Sequence, residues 1–69
     1  MKVREILRKM KKQGWYFVEE GTNHEKWGHR LYSQEWIPVP RHHADDLKKS
    51  TEESIKAAMK EVELKLMEG

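Results

Sequence analysis

"WYFVEEGTNHEKWGHRLY", residues 15–32, decides the fold. Trp15-Tyr16-Phe17-Val18 is an aromatic and β-branched run, the composition of a strand. Glu19-Glu20-Gly21-Thr22 follows with turn chemistry. From His24 to Tyr32 the chain then alternates. Glu25, Trp27, His29 and Leu31 fall on one side, and His24, Lys26, Gly28 and Arg30 on the other. A period of two is that of a strand with one covered and one open face, and it predicts an antiparallel hairpin.

Working outward, Val3, Ile6, Leu7 and Met10 recur at i, i+3, i+4 and i+7, one stripe of an amphipathic helix. Gly14 stands where a left-handed residue would end that helix. Downstream, Ser33-Gln34 reads as a turn and Glu35–Val39 as a third strand. Pro38 assigns that strand to an edge or an end, because proline cannot donate to the ladder. Pro40-Arg41-His42-His43 is a connection. Ser50-Thr51-Glu52-Glu53 has the spacing of a capping box, and Ile55, Ala58, Met59, Val62 and Leu66 trace one face of a second helix. A three-stranded sheet needs one face covered, which two flanking helices can do. The expected fold is therefore α+β, in the order α-β-β-β-α, with an antiparallel sheet carrying both helices on one face. Residues 1–69 form a single domain.

A chain of 69 residues buries only about 60% of the surface that its unfolded form exposes, so its core is marginal. The absence of cysteine removes disulfides and thiolate metal sites. The charged start Met1-Lys2-Val3-Arg4-Glu5 holds no apolar run suited to a signal peptide or membrane span, which points to a cytoplasmic protein. The net charge of +2 is unevenly spread. Residues 1–14 carry six basic side chains against Glu5, whereas residues 44–69 hold five lysines against seven acids. Such a basic segment suits a polyanion, although a solvated helix face has the same composition.

On the open face of the second strand, His24 shares its side with Lys26 and Arg30. An imidazole beside two cations suits proton transfer on an anionic substrate such as RNA, whose 2′-hydroxyl attacks its own phosphate. A lone strand histidine is, however, more often a plain surface residue. Metal binding is disfavoured. His24 and His29 are five apart and point to opposite faces, the adjacent His42 and His43 diverge, and no zinc-type histidine spacing occurs on a helix. No phosphate-binding glycine loop or serine nucleophile elbow is present. Among Trp15, Tyr16, Trp27, Tyr32 and Trp36, most must pack the core, leaving one or two from the first and third strands for a partner.

Gly14-Trp15 after a short basic helix, Gly21-Thr22-Asn23-His24 opening the second strand, Val39-Pro40-Arg41-His42 closing the third, and the "SIKAAMKE" of the last helix occur together in this order. In these features the chain resembles the HicA toxin family of bacterial toxin–antitoxin systems over roughly residues 3–60. The resemblance implies a double-stranded-RNA-binding-domain-like fold, mRNA endonuclease activity without metal or other cofactor, and neutralisation by a HicB-like antitoxin. It also implies that His24, the histidine of the G-S/T-x-H signature, is catalytic. Thr22, Asn23, Lys26, Arg30, Arg41, Lys9 and Lys12 are the residues then expected on RNA. His29 is expected to pack or cap, and His42 to meet RNA phosphate or the antitoxin. The chain departs from the family at Glu25, where many members have a second histidine, and in a longer charged tail from Val62. A non-catalytic RNA-binding module and a pure protein-interaction domain are the alternatives.

Overall fold

The computed structural model describes residues 1–68. Its elements are α1 (Val3–Lys12), β1 (Trp15–Glu20), β2 (His24–His29), β3 (Trp36–Pro40) and α2 (Lys49–Glu68). The strands form one antiparallel sheet in the order β1-β2-β3, so the α-β-β-β-α architecture is the one expected from periodicity.

Strand parity determines which face is filled. Trp15, Trp27, Ile37 and Val39 point to one side and are buried with Val3, Ile6, Leu7 and Met10 of α1 and Ile55, Met59 and Val62 of α2. Both helices therefore cover the same face. Truncating a fully buried member such as Ile6 would cost about 2–5 kcal/mol, a large part of the stability of so short a chain.

Gly14 ends α1 with φ of +99°, the left-handed conformation expected of it. The free amides at the start of α1 are met from afar, Val3 N–H by the Asp45 carbonyl and Arg4 N–H by that of His43, each at 3.0 Å. The Glu5 carboxylate accepts from Lys2 N–H at 2.9 Å. The segment that follows β3 thus caps the first helix.

Several boundaries differ from the sequence expectation. Glu19 and Glu20 do not turn but extend β1, pairing with Lys26 and Glu25, after an irregularity between Phe17 and Glu19 absorbs an extra residue. Strand β2 ends at His29, so Leu31 lies outside it and is 64% exposed rather than facing the helices. The third strand runs one residue later than expected and occupies an edge, as Pro38 requires. Helix α2 begins at Lys49, with Glu52 N–H donating to the Lys48 carbonyl. Ser50 consequently lies inside the first turn, and the expected capping box is not formed. Leu66 is exposed, because the sheet ends before the last turns of this 20-residue helix.

Candidate functional site

His24 opens the central strand and is exposed, with its neighbour Glu25 buried on the opposite face. Opposite His24 in register is Pro40, and opposite Lys26 are Glu19 on β1 and Pro38 on β3. His24, Lys26 and Gly28 therefore share the uncovered side of the sheet.

The corner before His24 is built by backbone contact. Gly21 N–H donates to the His24 carbonyl at 2.7 Å. A Cβ at Gly21 would meet that oxygen at 2.8 Å, closer than real side chains approach. Glycine is thus required here for close approach, and its spacing to His24 is the spacing of the turn. Arg41, one residue past the partner of His24, reaches back across the corner. Its guanidinium donates to the Thr22 carbonyl at 2.9 Å and pairs with Glu20 at 3.1 Å. Three segments thereby hold the loop that presents His24, and Thr22 and Asn23 stand exposed within it.

The opposite face of β2 is a closed polar arrangement. Glu25 Oε1 accepts from Trp27 Nε1 at 3.0 Å and from His43 Nε2 at 2.8 Å. A buried carboxylate is costly unless it is hydrogen-bonded, and here Oε1 takes both donors. His29 is 2% exposed. Its Nε2 donates to the Gln13 carbonyl at 2.6 Å, and its Nδ1 accepts from Leu31 N–H at 3.1 Å. Both ring nitrogens are committed, so His29 locks the end of α1 to the end of β2, the packing role expected of it. Among the described residues no three of His, Cys, Asp and Glu converge on a point where a metal could be held.

The expected RNA-binding residues are not all gathered around His24. Lys26 stands beside it. Arg30 follows the far end of β2, six residues and thus about 20 Å away along an extended chain, and its stem lies against Gly14. Lys9 and Lys12 belong to α1 on the helix-covered side, with the sheet between them and His24. His42 is exposed beside Arg41.

What the sequence reading missed lies along the outer side of β3. A depression of about 260 Å³ is lined by polar and aromatic side chains, His24, Trp36, Thr51 and Ser54. Its apolar lining is Ile37, Pro38, Ile55 and Ala58. Trp36 is 53% exposed, and Lys26 Nζ lies 5.2 Å from its ring centroid. Thr51, Ser54 and Ala58 recur at helical spacing, a polar-edged stripe beside the core stripe of α2 that could have pointed to this depression.

The family model described as "HicA toxin of bacterial toxin-antitoxin" matches residues 3–64. No curated protein and no solved structure matches the chain significantly.

Proposed function

Since the chain belongs to the HicA toxin family of bacterial toxin–antitoxin systems, the match covering residues 3–64 of 69, we propose that it is an endoribonuclease whose catalytic group is His24. Membership implies an antitoxin partner, and a HicB-like protein is the expected one, with mRNA as the substrate. No helix among the described residues is long and apolar enough to cross a membrane.

The observation that carries this reading is the placement of His24. It is an exposed imidazole on the one uncovered sheet face, set by a glycine-tight corner and an arginine clamp, with a lysine two residues on. The imidazole takes the proton of an RNA 2′-hydroxyl. The freed oxygen attacks the adjacent phosphorus, and the bond to the 5′ oxygen of the next nucleotide breaks. That leaving oxygen gains a proton from the imidazolium or from water. The products are a 2′,3′-cyclic phosphate and a 5′-hydroxyl end. The Lys26 ammonium offsets charge that develops on the phosphate. Arg41 acts by holding the corner, because its guanidinium is engaged with Thr22 and Glu20.

RNA incubated with the protein in EDTA tests this. Cleavage giving cyclic-phosphate ends is expected, with His24→Ala slower by roughly 10²–10⁴-fold, the range of general acid–base catalysis. Unchanged cleavage by His24→Ala would overturn the assignment. Retention of RNA without products would leave a binding module instead.

A further inference from the structure

The depression between β3 and α2 has the wrong chemistry for phosphate. Half of its lining (Ile37, Pro38, Ile55 and Ala58) is apolar, and no lysine or arginine lines it. A flat apolar ligand with a polar edge suits it better. The exposed Trp36 lines it, together with the hydroxyl-bearing Thr51 and Ser54 of α2 and with His24. We propose that this depression receives an unpaired nucleobase of the RNA, next to the phosphate at His24, with Trp36 as its stacking surface and Thr51 and Ser54 as groups that meet its polar edge. The proposal rests on the endoribonuclease reading for its substrate class, and it adds a subsite and a requirement for single-stranded RNA.

Three features favour a base over a segment of protein. First, β3 contains Pro38 and Pro40, which give no backbone N–H, so the edge beside the depression is poorly suited to an added strand. Second, Lys26 holds its ammonium near the Trp36 ring and supplies a cation for the phosphate attached to a base stacked there. Third, the Lys26–indole contact orders the ring before any ligand arrives, which lowers the entropy cost of stacking. A base in a duplex has its faces covered by neighbours and its edge by its partner, so only an unpaired base can enter.

The test uses the full chain in a His24→Ala background, so that binding is read without cleavage. Affinity for a short single-stranded oligoribonucleotide, and for the same sequence in a duplex, is measured by fluorescence anisotropy. The single strand is expected to bind more tightly than the duplex. Trp36→Ala is expected to weaken single-strand binding about 5- to 150-fold, the range for one base stacked on an aromatic ring. Trp36→Phe recovers most of the loss. Ser54→Ala alters the ranking of the four homopolymers. Trp36 is exposed, so thermal melts of these variants should overlay, which separates lost binding from lost folding. Equal single-strand binding by Trp36→Ala and its parent would overturn the proposal, as would tighter binding of the duplex. Unchanged RNA binding with lost antitoxin binding would do so too, by assigning the depression to a protein. If His24→Ala still cleaves, the catalytic assignment falls while this binding result stands by itself.

Discussion

His24 and His29 begin and end the same six-residue strand, and their environments are opposite. His24 faces water with its ring exposed, beside a lysine and above a depression. His29 is enclosed, with one nitrogen donating to the Gln13 carbonyl and the other accepting from Leu31 N–H. The odd separation of five residues produces this contrast, since side chains alternate along a strand. One face of β2 is therefore spent on stability, and the other is left open to solvent. Substitutions on the two faces should separate accordingly.

The largest effect expected is that of His24→Ala, which should remove about 3–5 kcal/mol of transition-state stabilisation, the equivalent of the 10²–10⁴-fold loss above. Its urea midpoint should match that of the parent. A large stability loss would mean that the open face is also structural and would erase the contrast. His29→Ala should do the reverse. It leaves the Gln13 carbonyl and Leu31 N–H without their partner and opens a gap against Trp15, whose ring centroid lies 5.0 Å from that of His29. The expected cost is about 2–4 kcal/mol in urea unfolding, with cleavage per folded molecule unchanged.

How far this division could be read in advance depends on the range of the interactions behind it. The stripe Val3-Ile6-Leu7-Met10, the left-handed Gly14 and the alternation through Trp27 are local signals, and each matches the fold. Leu31 was misplaced because alternation says nothing about where a strand stops, and here His29 accepts from Leu31 N–H and turns the chain. Ser50 misled for a similar reason, since the capping spacing is met by chance one residue inside the helix. Glu25 could be placed on the covered side by parity. Its partner His43, 18 residues away, and the carbonyls of residues 43 and 45 that cap α1 depend on tertiary closure that no short window contains. The exposed position of His24 behind a glycine corner was legible by parity and turn chemistry. The depression was not, because it needs β3 and α2 side by side.

Arg41, just past the end of β3, sharpens the comparison at smaller scale. It was expected on RNA, yet its guanidinium is engaged with Thr22 and Glu20. An exposed ion pair of this kind contributes little to stability, about 0–1 kcal/mol. Arg41→Ala should therefore melt close to the parent. Cleavage should fall several-fold through a lower kcat, because the corner that sets His24 loosens. An RNA phosphate contact would behave differently, raising KM and reducing the salt dependence of binding by about one unit of slope.

The smallest effect is expected from the basic helix, whose charge was the first hint of a polyanion. Lys9 and Lys12 lie on α1, across the sheet from His24, and Lys11 directs its ammonium to the Trp27 ring at 5.8 Å. Cations on the far side of a sheet act on a phosphate at His24 only through a distance that salt largely screens. The double substitution Lys9→Ala/Lys12→Ala should leave the cleavage rate within about twofold at physiological ionic strength, whereas Lys26→Ala should lower it by about tenfold, the effect of losing one favourable charge contact of roughly 1.4 kcal/mol. Measuring both at low and at physiological salt decides the matter. If the double variant loses as much as Lys26→Ala at physiological salt, RNA wraps around the edge of the sheet onto α1, and the covered face shares in binding. If its loss appears only at low salt, the helix steers RNA toward the protein from a distance, and contact with RNA belongs to the open face and the adjoining β3–α2 edge.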